Sequence, residues 1–183
     1  MPIYVNGSEA GKLYVMANPP LQIGKVYRKD AGGSSLIYSA ETVLQNLLTE
    51  AVSSDRHIDA GYSDYDREMA TYAVEVGHKY YIRAVSSRYG SFTWGGTTQV
   101  RYNGTVLTDN NTNHTIWTAN TDTLKITHRY TGQCAAGHSV GCRASLYMVV
   151  DVTDLDASVA GNANTFWQSI GADVFYGSKA FDF

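Results

Sequence analysis

The stretch LYMVVDVT occupies residues 146–153. Met148, Val149, Val150 and Val152 make it nearly all apolar. A short apolar run rich in β-branched residues is typical of a strand that is buried on both faces. We therefore predict that this run is the central strand of a β-sheet.

The sequence before this strand also has a β pattern. Apolar and polar residues alternate in several short runs, and turn formers separate the runs at a spacing of roughly ten residues. Asn103-Gly104 is the strongest hairpin signal, because both residues tolerate a positive φ. Further strands are predicted at residues 72–76, 79–85, 91–94, 97–102, 105–107, 115–117 and 123–130. The pattern predicts a jelly-roll-like β-sandwich domain over residues 55–183.

The composition supports a mainly β protein and excludes two classes of function. Charged residues make up 17% of the chain, against 14 tyrosines and 17 glycines, as expected for strands joined by glycine turns. The formal charge of −3 leaves no basic stripe for a nucleic-acid backbone. No continuous apolar run approaches the length of a membrane span, so we expect no membrane-spanning segment.

Residues 1–40 contain a repeat of short runs that carry tyrosine. The runs are KLYV, KVY and LIY, with Tyr14, Tyr27 and Tyr38. Turn formers separate them, which predicts a small β-meander. Because three short strands are only marginally stable alone, we expect this segment to attach to another surface through the three tyrosines.

Two short helices are predicted outside the strands. Apolar spacing over residues 39–54 predicts a helix that forms a linker at 41–54. It packs either on its own domain or against copies of itself in an oligomer. Near the C-terminus, Asn164 or Thr165 is expected to cap a short helix that carries Phe166 and Trp167.

Three aromatic residues near predicted loops are candidate ligand-binding residues. Tyr89, Trp94 and Trp117 each offer an apolar ring face on which a pyranose ring can stack. The alternative for each tryptophan is a place in the core, since tryptophan is highly buried on average.

One cluster of residues has the chemistry of metal ligands. His128, Cys134, His138 and Cys142 lie within fifteen residues, and four such ligands can form a tetrahedral zinc site. The favoured alternative is that Cys134 and Cys142 form a disulfide or remain free thiols. We therefore predict no metal or other cofactor.

The sequence contains no established catalytic motif. Asp64 and Asp66 lie two residues apart in a polar segment, and paired carboxylates are used in glycoside hydrolysis. A solvated polar segment before a strand explains them more simply. We therefore predict that the protein is not an enzyme.

Several segments resemble tailed-bacteriophage virion proteins of the minor tail, tail-fibre and baseplate-associated type. The lysine- and tyrosine-containing repeat is similar to their N-terminal segments. GHKYYIRA, LYMVVDVTDL, GNANTFW and FYGSKAF, at residues 77–84, 146–155, 161–167 and 175–181, resemble a jelly-roll module of such proteins and occur in the same order. The run Phe-Gly-x-Gly-Asn-Glu-Pro that commonly follows the late strand is absent here.

The resemblance implies a structural component of the virion, made in the host cytoplasm. Other virion proteins are then the expected partners, with a homo-oligomer, most often a trimer, and a host-surface glycan as a possible ligand. Two alternatives stay open: a capsid decoration or head-fibre protein, and a carbohydrate-binding module or sugar-cleaving enzyme on the same fold.

Overall fold

The structure is a computed structural model that describes residues 14–15, 21–22, 25–30, 33–39, 42–58, 61–90, 96–181 and 183, with the backbone alone before residue 42. This part of the chain is mainly β. The strands are β1 Tyr14–Val15, β2 Leu21–Gln22, β3 Lys25–Asp30, β4 Gly33–Ser39, β5 Thr42–Gln45, β6 Val52–Ile58, β7 Gly61–Ala73, β8 Lys79–Gly90, β9 Thr97–Tyr102, β10 Thr105–Asp109, β11 Thr112–Thr118, β12 Thr123–Cys134, β13 Val140–Asp151 and β14 Ser178–Phe181. The helices are α1 Ala157–Ala160 and α2 Ala163–Ser169.

The chain divides into two compact units. Unit 1 comprises Met1–Val43 and Ala180–Phe183, and unit 2 comprises Leu44–Lys179. In unit 1, β1 pairs with β2 and β3 pairs with β4, both antiparallel. The predicted strands at the tyrosine runs are thus present, in two separate pairs. The side chains of Tyr14, Tyr27 and Tyr38 lie outside the described residues, so their predicted attachment role stays a prediction.

Unit 2 contains two four-stranded antiparallel sheets. Sheet I has the strand order β10-β9-β12-β7, and sheet II has the order β11-β8-β13-β6. The predicted central strand is confirmed, since β13 lies between β8 and β6. The chain at residues 72–85 passes from β7 in sheet I to β8 in sheet II. Asn103 and Gly104 have φ values of 45° and 82° and form the predicted turn between β9 and β10.

The inner faces of the two sheets form the core, as in a β-sandwich. Val100, Leu124 and Ile126 of sheet I belong to the same buried cluster as Ile82 and Leu146 of sheet II. All five are 0% exposed. Full burial of each such side chain contributes roughly 1.5–3 kcal/mol, so this cluster is the main stabilising contact between the sheets.

The prediction of a helix over residues 39–54 is wrong, because β5 and β6 lie there. Leu44, Asn46 and Leu48 are buried at 4%, 1% and 2% exposure, which is the two-residue alternation of extended chain. The Asn46 amide donates to the carbonyls of Tyr147 at 3.1 Å and Phe175 at 2.7 Å. Its oxygen accepts from the amides of Leu48 and Val149. A polar residue that a helix would place on its exposed face is thus buried, and four hydrogen bonds satisfy its side chain.

The C-terminal helix is present close to its predicted position. The cap of α2 is Asn162 rather than Asn164 or Thr165, and its side chain accepts from the Asn164 amide at 2.8 Å. Phe166 on this helix is fully buried.

Candidate functional site

Three strands of sheet II place nine residues on one part of its outer face. The cross-strand rows are His57, Gly141 and Tyr89; Asp55, Arg143 and Ser87; and Ser53, Ser145 and Val85. They lie on one face because side chains alternate along each strand. We call these nine residues the outer grid. Six of them are exposed: Ser53, Asp55, His57, Ser87, Tyr89 and Arg143.

Tyr89 lies directly against the backbone of Gly141 in the outer grid. A Cβ added to Gly141 would come within 2.0 Å of the tyrosine Cζ, so only glycine allows the ring this position. Tyr89 remains 39% exposed. The prediction that Tyr89 offers an accessible ring is therefore consistent with the structure.

Hydrogen bonds connect Tyr89 to an ion pair in the grid. The Tyr89 hydroxyl donates to Asp55 Oδ1 at 2.6 Å, and Arg143 donates to Asp55 Oδ2 through Nε at 3.1 Å and Nη2 at 2.9 Å. The bond from Tyr89, then the charge and bonds of Arg143, lower the pKa of the Asp55 carboxyl. The arrangement combines an aromatic face with a carboxylate and a guanidinium.

Trp117 lies outside the outer grid, on β11 opposite Tyr80. Trp117 is partly buried and packs against the main core cluster, with its ring 6.2 Å from that of Tyr80 and 6.3 Å from that of Tyr102. It is therefore a core residue rather than a ligand platform. Trp94 lies outside the described residues, so its role as a candidate stays a prediction.

The four residues of the alternative zinc site are not brought together as ligands, since no group of histidine, cysteine and acidic residues among the described residues has the arrangement of a metal site. His138 is exposed, whereas His128 is fully buried. Cys134 and Cys142 are free thiols in one small buried cluster. Burial raises the pKa of Cys142 to about 11, so this thiol is a poor nucleophile and metal ligand at neutral pH.

His128 belongs to a buried polar layer between the sheets. Its Nε2 lies 2.8 Å from Thr98 Oγ1 and its Nδ1 lies 3.1 Å from Ser54 Oγ. Ser86 donates to the Thr98 carbonyl, and Thr108 donates to the Ser86 hydroxyl. Because every contact comes from a strand of the sandwich, this layer joins sheet I to sheet II. Burial lowers the pKa of His128, with partial opposition from Asp55 and Asp66.

Helix α2 covers another part of the outer face of sheet II. The Phe166 ring lies 4.6 Å from the Tyr81 ring, and the Arg83 guanidinium lies 3.9 Å from the centre of the Trp167 ring. His114 Nδ1 lies 2.9 Å from the Tyr81 hydroxyl, and its Nε2 lies 2.6 Å from Asn164 Oδ1. These contacts dock the helix, so we assign this cluster a structural role.

The two carboxylates considered for catalysis lie on strand β7. Asp64 and Asp66 are both exposed on the outer face of sheet I, and Asp64 forms an ion pair with Arg129 at 3.4 Å. The polar segment predicted before a strand is therefore itself a strand.

The sequence analysis missed Asp55, Gly141 and Arg143 as members of the site. A signal was present in VGCRASLY at residues 140–147, where alternation extends the central strand toward the N-terminus and places Arg143 on one face. The pairing of that strand with β6 and β8, which brings the three residues together with Tyr89, is visible only in the fold.

Comparison with known proteins gives no assignment. No protein-family model matches the chain, and no curated protein matches it either. Within the described residues, no helix is long and apolar enough to cross a membrane.

Proposed function

We propose that the protein is a non-enzymatic structural component of a tailed-phage particle, in the tail, fibre or baseplate. Unit 1 is the attachment element, and the sandwich of unit 2 is displayed for assembly or for contact with a host-surface glycan. The observation that carries the proposal is the division into a small strand unit and a separate β-sandwich. The N-terminal repeat that resembles phage virion proteins lies in unit 1, and the similar segments at residues 77–84, 146–155 and 161–167 lie in unit 2.

The attachment role of unit 1 has a physical basis in its strands. Its described elements are two-stranded pairs, and an isolated pair is marginally stable in water. Addition of strands to the sheet edge of a neighbouring protein is a common solution for such segments. The partners are then other virion proteins, and symmetric particles favour a homo-oligomer, with a trimer as our first expectation.

The test is the presence of the chain in purified particles. Quantitative mass spectrometry of separated heads and tails should detect it in tails at a constant copy number. Detection in heads would support the capsid decoration alternative, and absence from washed particles would contradict the proposal.

A deletion of residues 1–43 tests the attachment role separately. We expect the shortened chain to keep a cooperative unfolding transition and to be missing from particles. Incorporation equal to that of the full chain would contradict the role of unit 1.

A carbohydrate-binding module outside a virion is the second candidate. The exposed Tyr89 ring beside Asp55 and Arg143 favours it. Absence from particles together with glycan binding by the purified chain would support this candidate.

A further inference from the structure

We propose that the outer grid is a binding subsite for one neutral pyranose ring, with Tyr89 as the stacking platform and with Asp55 and Arg143 as partners of the sugar hydroxyls. The inference deepens the proposed function and rests on its statement that the sandwich is a displayed module. It assigns both a ligand class and the residues that recognise it.

The Tyr89 platform is held in place and stays 39% exposed, with the Arg143 guanidinium 5.4 Å from the centre of its ring. The Tyr89 ring packs on the Gly141 backbone, where an added Cβ would overlap three ring carbons at 2.0–2.5 Å. Its hydroxyl is held by Asp55 at 2.6 Å. A ring fixed at its face and at its hydroxyl loses little conformational freedom when a ligand stacks on it. The apolar face of a pyranose ring matches such a surface.

The ion pair supplies complementary hydrogen-bonding groups next to the ring. Asp55 offers acceptor oxygens, and Arg143 offers five N–H donors, of which two are directed at Asp55. Both side chains reach solvent, with exposures of 45% for Asp55 and 59% for Arg143. A sugar hydroxyl both donates and accepts, so a carboxylate beside a guanidinium suits two adjacent hydroxyl groups.

The charges of the grid favour a neutral sugar. Asp55 and Arg143 compensate each other at 2.9 Å, which leaves little net field to attract a charged ligand. An anionic sugar would also meet the Asp55 carboxylate. The second and third rows of the outer grid also contain Ser53, Ser87 and Ser145. Their short side chains leave room above the sheet.

A purely structural role for Tyr89 makes a different prediction. An aromatic ring over a cross-strand glycine stabilises a sheet by itself. In that case Tyr89 substitutions would change the melting temperature and nothing else. Recognition of a sugar requires that they also change affinity in variants that remain folded.

The experiment uses the purified full-length chain and a printed array of neutral hexose and N-acetylhexosamine oligosaccharides. We expect the wild-type chain to bind at least one glycan. In calorimetric titration with that glycan, Tyr89→Ala and Gly141→Ala should each weaken binding by about tenfold or more, the loss expected for a stacking contact. Gly141→Ala removes no side chain and only displaces the ring.

The matched control is Asp64→Asn, which disrupts an aspartate–arginine pair on the outer face of sheet I and should leave binding unchanged. Tyr89→Phe keeps the ring and loses the bond to Asp55, so it should bind more weakly than wild type and more tightly than Tyr89→Ala. Melting curves identify the folded variants, and Tyr89→Phe provides the test if Tyr89→Ala fails to fold.

Two results would overturn the proposal: no binding to any neutral glycan on the array, or binding that Tyr89 and Gly141 substitutions leave unchanged. Neither depends on the location of the chain in a particle. Glycan binding by a chain that is absent from particles would support this inference and reject the virion role.

Discussion

The outer faces of the two sheets are built from different side chains. On sheet I, Lys125 pairs with Glu68 at 3.1 Å and Arg129 pairs with Asp64 at 3.4 Å, so exposed charges cover a face with no helix against it among the described residues. On sheet II, helix α2 packs aromatic residues on part of the face, and the outer grid occupies another part. The contrast separates a face that carries exposed ion pairs from one on which a helix and the Tyr89 ring pack against the sheet.

The largest effect on stability is expected from a substitution in helix α2, which covers part of sheet II. Phe166→Ala deletes a fully buried ring that packs 4.6 Å from the Tyr81 ring. We expect a loss of roughly 3–5 kcal/mol in the free energy of unfolding, measured by chemical denaturation. Val106→Ala is the control on sheet I, where a 45% exposed side chain should change stability by about 0.5 kcal/mol or less. Equal losses of stability in the two variants would contradict the difference between the two outer faces.

A medium effect is expected inside the outer grid. Gly141→Ala forces the Tyr89 ring away from the backbone, and we expect a loss of about 1–3 kcal/mol in the free energy of unfolding, as for other overpacked sites. Tyr89→Ala combined with Gly141→Ala should recover part of this loss, because the clash is then absent. If the loss of stability in the double variant equals the sum of the two single losses, the ring and the glycine do not contact each other.

Acid should weaken the layer that joins the two sheets. The pKa of His128 is lowered by burial in the folded chain, so the unfolded chain binds the proton more tightly. The stabilising contribution is therefore complete above about pH 6.5, the ordinary value, and decreases as the pH falls toward the lowered pKa. Denaturation at several pH values should show this slope, and His128→Gln should reduce it. An unchanged slope in the variant would contradict the assignment.

The smallest effect is expected on the outer face of sheet I. Asp64→Asn should change the free energy of unfolding by about 1 kcal/mol or less, because exposed ion pairs contribute little. Asp55→Asn in the outer grid should have the larger effect of the two, since Asp55 accepts three hydrogen bonds from Tyr89 and Arg143. Thermal unfolding of the two variants compares the faces directly. A greater loss from Asp64→Asn would reverse the comparison.

The sequence predicted the β class and several strands because these depend on local signals. Asn103-Gly104 specifies its own turn, and the apolar run at residues 146–153 specifies a central strand. The helix prediction at residues 39–54 failed because Asn46 is buried by tertiary hydrogen bonds that no local pattern contains. The outer grid could not be predicted as a site, since Asp55, Arg143 and Tyr89 meet only through the pairing of three strands.

The hydrogen bonds of Asn46 have a consequence for folding kinetics. They reach the carbonyls of Tyr147 and Phe175, which lie 101 and 129 residues further along the chain. Contacts of such long range carry a high cost in loop closure and tend to form late. We therefore expect the hydrogen bonds of Asn46 to form after the rate-limiting step of folding. They should then lower the unfolding rate and leave the folding rate almost unchanged.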